Sequence, residues 1–297
     1  MLKIMQCISF VTFILSIQHL VFSNGQRNEA EGRIIYHPIV GGDPAEESEL
    51  PHLAAVGFIR RFKQYWLCGG TLITKRYVLT AAHCLEDKKY RSYGKPVNVR
   101  LGDLDLKSSV DDSHAQNIDI MRRIPHPEYK HPMKYNDIAL LELKQDAVFN
   151  NFVKPACLHR THDIKETKAV VSGWGTAERN VTVPGQQKLR KVEIDLHPLD
   201  KCKVFLEGKD VSSILSEGLK DDSMICSGVL AGGKDSCDGD SGGPLQLAAT
   251  SAECSAEIIG VVSFAFSSEC GQKEVPAIYT RVSKYVPWIE SITNSSG

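Results

Sequence analysis

From position 39 onward the chain is a succession of short apolar or alternating runs, each closed within a few residues by Gly, Pro, Asn or Asp. Residues 53–59, 71–74, 77–80, 97–101, 138–143, 169–172, 188–196, 257–263 and 277–282 all have this texture. Runs of this length and period, bounded by turn residues, predict β-strands. Many short strands with frequent turns predict an all-β sandwich or barrel. Helical periodicity is scarce. It is confined to residues 199–205 and to the tail 283–293, where Ser283 is placed to cap the helix start. No repeat recurs at solenoid spacing.

The first 38 residues differ in texture. Lys3 supplies a positive start, residues 8–22 are mostly apolar, and Val21 and Ser23 suit positions −3 and −1 of a cleavage site. Residues 1–23 therefore read as a signal peptide, and the protein as secreted. A membrane anchor is the rival reading, but the apolar run is short and broken by Ser16, Gln18 and His19. Residues 24–38 are polar and free of cysteine, and read as a pro-segment. One domain, 39–297, follows; 297 residues give ample chain for a core.

Charge and cysteine narrow the class. Lys and Arg number 35 against 36 Asp and Glu, a net charge of −1. No global field draws the chain to nucleic acid or to a membrane. Of nine cysteines, Cys7 falls in the signal peptide. The other eight, an even number in an oxidising compartment, read as disulfides. Zinc is the rival, but there is no Cys-x-x-Cys pair and the cysteines are scattered.

Three segments carry the chemistry: Thr80-Ala81-Ala82-His83-Cys84, Asn136-Asp137-Ile138-Ala139-Leu140 and Gly239-Asp240-Ser241-Gly242-Gly243-Pro244. Alone, each has a bland reading as a packed histidine, a capping aspartate or a turn. Together, in the order His, Asp, Ser, they resemble the trypsin-like (chymotrypsin-fold) serine proteases. Ile39-Val40-Gly41-Gly42, Cys68-Gly69-Gly70-Thr71-Leu72-Ile73, Ser172-Gly173-Trp174-Gly175 and Val286-Pro287-Trp288-Ile289 extend the resemblance from Ile39 to about Ile292. Leu101-Gly102-Asp103-Leu104-Asp105-Leu106 and Pro155-Ala156-Cys157-Leu158 are similar to the catalytic domains of arthropod clip-domain proteases; no clip domain precedes them here. The resemblance implies two six-stranded antiparallel β-barrels with a C-terminal helix.

It also implies roles. A serine hydroxyl needs an imidazole to take its proton and return it to the leaving amine, and a buried carboxylate to orient that imidazole. By resemblance Ser241 attacks, His83 is base then acid, and Asp137 orients it. The N–H groups of Gly239 and Ser241 would form the oxyanion hole, and Ser263 would support Asp137 and pair with substrate. Asp235 matches the floor of a pocket that selects Arg or Lys. Ala265 and Ala277 stand where the family usually has Gly, so a narrowed pocket is expected. Asp238 lies at the pocket rim, either favouring basic residues or simply solvated. No cofactor is required.

In relatives the chain end freed by cleavage pairs with the aspartate before the catalytic serine, here Ile39 with Asp240. Family zymogens usually have Arg or Lys before that site; this chain has Tyr36-His37-Pro38. Three routes are open: an unusual protease cutting after Pro38, cleavage after Tyr36 with removal of His37-Pro38, or cleavage after Arg33, which leaves five extra residues and should not activate. The resemblance pairs Cys68 with Cys84, Cys202 with Cys226, and Cys237 with Cys270. For Cys157 a bond to Cys254, a free thiol and a bond to another chain are all open. Asp103, Asp105, Asp111 and Asp112 fall in a loop that binds calcium in some relatives, or are a solvated acidic loop. Asn180 and Asn294 head glycosylation sequons. Expected partners are a protein or peptide substrate, an activating protease and serpin-type inhibitors, with the chain itself a monomer. The function expected is limited proteolysis after basic residues in an extracellular cascade or venom. The alternative is a non-catalytic homologue acting as a binding cofactor, disfavoured because all three catalytic positions are intact.

Overall fold

Alternating side chains give each sheet one face to bury, and here two sheets bury that face by curling shut. The computed structural model describes residues 39, 41–109, 112–175, 188–267 and 270–294. The signal peptide, the pro-segment, Asp111 and Asn180 lie outside them. Among the described residues the strands are β1 (Asp43–Pro44), β2 (Leu53–Arg60), β3 (Lys63–Leu72), β4 (Tyr77–Thr80), β5 (Asn98–Leu101), β6 (Gln116–Pro125), β7 (Ala139–Leu143), β8 (Cys157–Leu158), β9 (Lys168–Gly173), β10 (Arg190–His197), β11 (Met224–Ser227), β12 (Pro244–Leu247), β13 (Glu257–Ala265) and β14 (Ala277–Arg281). The helices are α1 (His83–Glu86), α2 (Leu199–Leu206) and α3 (Val282–Thr293).

The first barrel closes in the order β2-β3-β4-β7-β6-β5, antiparallel throughout. The second closes as β9-β10-β11-β14-β13-β12, with β12 returning to β9. Short β1 and β8 flank it on β10 and β13. Closure removes the exposed edges that invite aggregation. The two-barrel fold is the expected one.

Both faces of β2 are buried, which explains its nearly continuous apolar run. Ala54, Val56 and Phe58 enter the first barrel's core with Leu72, Leu101, Ile118 and Leu140. Leu53 and Ala55 face Trp174 and Leu189 from the second half. Helix α3 buries Val282, Tyr285, Val286 and Ile289, a one-sided helical stripe, in the same cluster as the first barrel. The C-terminal helix thus clamps the halves together. It starts at Val282 with Arg281 at the cap position and no side-chain cap bond, so Ser283 does not cap it. The Arg281 guanidinium instead donates to the carbonyls of Asp221, His162 and Met224.

Four disulfides brace the fold: Cys68–Cys84, Cys157–Cys254, Cys202–Cys226 and Cys237–Cys270. The structure joins Cys157 to Cys254, which settles the open pairing within one chain. Asn294 is exposed at the end of α3. No helix among the described residues is long and apolar enough to cross a membrane. Fully buried Leu140 sits between Leu79 and Ile124 on its neighbouring strands, three residues from Asp137. Leu140→Ala should cost about 2–5 kcal/mol, a drop of roughly 5–15 °C in melting temperature, measured by calorimetry.

Candidate active site

His83 opens α1, a single turn that leaves the end of β4. Its neighbour Cys84 is bonded to Cys68 on β3, which fixes the turn against the barrel. Asp137 lies just before β7 and is wholly buried. It accepts two bonds from His83, at 2.8 Å from the backbone N–H to Oδ1 and at 2.8 Å between Nδ1 and Oδ2. The Ser263 hydroxyl, on β13, donates to the same Oδ2, and Thr280 Oγ1, on β14, donates to the Asp137 carbonyl at 2.8 Å. Burial alone would raise the Asp137 carboxyl. His83 outweighs burial by charge and hydrogen bond, aided by Lys134 and Ser263, and the carboxyl is held at about 2. An ionised carboxylate only accepts, so His83 Nδ1 carries a proton and donates it in a hydrogen bond to Asp137, which leaves Nε2 as the nitrogen facing away from the carboxylate.

Ser241 is half-buried in a tight turn after the Cys237–Cys270 disulfide. The turn is held by Asp240 N–H to Cys237 O, Gly243 N–H to Asp240 O, and a reciprocal pair between Gly242–Gly243 and Val262. Gly242 sits at φ +81°, and a Cβ there would lie 2.2 Å from Thr80 Oγ1. Glycine is required because the turn packs directly on the first barrel. The Gly69 N–H donates to the Ser241 carbonyl at 2.8 Å. Gly69 follows Cys68, and Cys68 is bonded to the residue after His83. Serine and histidine are therefore brought to one place through adjacent residues of β3. Gly239 has φ +103°, and among the described residues neither its N–H nor that of Ser241 has an acceptor.

Asp235 is buried beside that disulfide and accepts from the Gly271 N–H at 3.1 Å. Ala265 and Ala277 are direct cross-strand partners at the open end of β13 and β14. Side chains opposite one another share a face, so both methyl groups stand on the same wall.

A model of the Trypsin family matches residues 39–289. The chain belongs to the trypsin family of serine endopeptidases. It is 35% identical to serine protease snk of Drosophila melanogaster over 86% of its length, but spans only 56% of that relative. It is 33% identical to the clotting factor G beta subunit of Tachypleus tridentatus, covering 96% of this chain and 94% of the relative. Against serine protease 1 of Homo sapiens it is 34% identical over 85% of this chain and 88% of the relative.

Three further groups qualify this member of the trypsin family. Asp103 and Asp112, for which a calcium loop and a solvated acidic loop were both open, each bind the Arg100 guanidinium. Asp105 accepts from the Lys107 N–H. Both carboxylates are thus engaged by a guanidinium, and no group of three or more His, Cys, Asp or Glu placed to hold a metal ion forms among the described residues. His52, which the sequence reading passed over, is fully buried between Gln246 Oε1 at 2.7 Å and Ser255 Oγ at 2.9 Å. Burial pushes its imidazole down to about 4, so it is a neutral structural link between β2 and β12.

Asp240 is also fully buried, but only N–H groups reach it: Gly175 and Cys237, each at 2.8 Å. Among the described residues no cation pairs with it, and burial pushes its carboxyl up to about 7. A carboxyl raised in the folded state stabilises fully below about pH 4 and loses that contribution as pH rises to about 7. In the intact chain Asp240→Asn should match the parent near pH 4 and exceed its stability at pH 8 by more than about 1 kcal/mol. Urea unfolding at the two pH values measures this; a less stable variant at pH 8 refutes it.

Proposed function

We propose that this chain is a secreted zymogen that, once cleaved, hydrolyses peptide bonds after Arg or Lys through an acyl-enzyme on Ser241. The observation that carries the reading is the buried Asp137 carboxylate, ionised and bonded to both His83 N–H groups. That arrangement leaves Nε2 as a base for the Ser241 hydroxyl. The proton then passes to the leaving amine. The N–H groups of Gly239 and Ser241 take the developing oxyanion, where losing one donor costs ~3–4 kcal/mol of transition-state stabilisation. Asp235 supplies the buried charge for a basic side chain, and the methyl groups of Ala265 and Ala277 narrow its slot. The chemistry uses side chains and backbone alone.

Activation follows from Asp240. Cleavage before Ile39 frees an ammonium, the partner that this buried carboxylate needs, and Ile39 is itself buried in the second barrel's core. The activating protease must cut after Pro38, or another enzyme must trim the chain to Ile39, since the residue immediately before it is Pro38 and not Arg or Lys. The clotting and venom proteases among the relatives favour limited proteolysis in an extracellular cascade or venom.

The test is a chain with an engineered cleavage site before Ile39, activated and profiled on a fluorogenic peptide library. Cleavage after Arg or Lys should vanish in Ser241→Ala. Asp235→Asn should lower kcat/KM on Arg substrates at least about a hundredfold, roughly 3 kcal/mol. No cleavage by the parent, despite a correct Ile39 terminus, would overturn the proposal.

A further inference from the structure

Tyr135 stands two residues before the buried Asp137, in the connection from β6 to β7, yet its phenol is engaged by the second half of the molecule. The hydroxyl donates to the Gly218 carbonyl at 2.9 Å and accepts from the Glu217 N–H at 2.7 Å. The Glu217 carboxylate accepts from Lys220 Nζ at 2.6 Å, and that ammonium lies 4.8 Å from the Tyr135 ring. Phenol, backbone, carboxylate and ammonium thus close on one another. One residue earlier, the Lys134 N–H donates to the Ile214 carbonyl at 2.9 Å. Two adjacent residues of the first half therefore grip one segment, 207–219, which contains neither strand nor helix.

What that segment backs lies beside the site. Val211, Ile214, Leu215 and Leu219 share a cluster with Phe264 and Phe266. Phe264 directly follows Ser263 on β13, and Phe266 directly follows the strand. Phe266 meets Phe264 edge-on at 5.2 Å and Phe205 of α2 at 5.7 Å. Lys134 Nζ lies 5.8 Å from the Phe264 ring. All three phenyl rings are half-buried, so the row keeps part of its surface open. A segment without regular structure holds its shape only through such contacts, and its low-stability backbone opens first when they are lost. Asp137, by contrast, is held by His83, Ser263 and Thr280 without help from the phenol.

We propose that Tyr135 is a positioning residue whose hydroxyl fixes segment 207–219 behind the rings beside Ser263, and so sets how firmly the residues leading up to the cleaved bond are held. The proposal rests on the reading of β13 as the strand that pairs with substrate. A chain lying along Ser263 and Ala265 passes the Phe264 ring, and a backing that yields costs ordering entropy when the chain binds. The phenol acts on binding and leaves the chemistry to the groups around Asp137.

The test is Tyr135→Phe in the chain activated before Ile39. Phenylalanine keeps the ring and its contact with Lys220 and removes only the hydroxyl. Substrates are a blocked single Arg amide and a six-residue peptide amide ending in Arg, apolar before it. For the longer substrate KM should rise about fivefold with kcat within about twofold, and the single Arg amide should be cut as by the parent. The Glu217 amide should exchange hydrogen at least about tenfold faster, while the amides of β7 keep their rates. A second arm measures binding of the fluorescein-labelled six-residue peptide to Ser241→Ala by anisotropy, independent of catalysis. Binding that weakens about fivefold when Tyr135→Phe is added supports the positioning role even if no peptide is ever cut, an outcome that sinks only the proteolytic reading. An unchanged KM on the longer substrate, an equal loss on both substrates, or faster exchange in both barrels overturns the proposal.

Discussion

A carboxylate buried away from water must be surrounded by donors, and the satisfaction of Asp137 requires both halves of the molecule. His83 supplies two donors from the first barrel. Ser263 and Thr280 supply theirs from β13 and β14 of the second. Neither barrel alone could bury this charge without leaving it short of partners, at a cost of several kcal/mol. Docking of the barrels and assembly of the histidine-carboxylate pair are thus one event. The Ser241 turn obeys the same logic. Its carbonyl is held by Gly69 of the first barrel, while its own backbone is woven into β13 through Val262.

The two buried aspartates of the site show how environment divides one residue type into two tasks. Asp137 has an imidazole and a nearby Lys134, and its carboxyl lies at about 2. Asp240 has comparable burial and two N–H donors but, among the described residues, no cation, and burial pushes its carboxyl up to about 7. The difference is the presence of positive charge. Gly173 and Gly175 leave room for the Asp240 carboxylate, since a Cβ on either would lie 2.2–2.5 Å from it. A carboxyl so enclosed is sensitive to any cation brought beside it, which is what the proposed activation supplies.

Much of this was legible in the sequence because the local pattern and the tertiary role agree. β4 was read at 77–80 and found at Tyr77–Thr80, and α2 was read one residue short. β3 was read only from 71, because Lys63, Gln64 and the Gly69–Gly70 pair disguise a strand whose backbone, not its side chains, approaches the second barrel. β6 escaped because Asp119, Met121, Arg122 and Arg123 crowd its outer face, leaving Ile118 and Ile120 as the deeply buried pair. β12 starts on a proline and is four residues long, too short for any period to show. α1 is a single turn, held by a disulfide and a carboxylate rather than by helix propensity. The acidic loop was legible only as carboxylates in a row; that Arg100, near the end of β5, reaches both Asp103 and Asp112 depends on how the loop folds back and leaves no mark in the spacing.

Local rules are obeyed through most of the chain and broken in a few places, and the breaks are informative. Arg61-Phe62 occupies a turn that Asn-Gly would fill with less strain, and puts a phenyl group into water. Asp240 buries a titratable carboxyl with no counter-ion among the described residues. Ala265 and Ala277 place two methyl groups opposite each other where the family usually keeps bare backbone. Each break costs stability or room that a locally consistent sequence would keep. Two of them sit beside the shared site: Asp240 precedes the Ser241 turn, and the paired alanines begin two residues after Ser263, whose hydroxyl donates to Asp137. These departures from local rules thus gather where the two barrels meet over one buried carboxylate, which is where a fold gives up stability for chemistry.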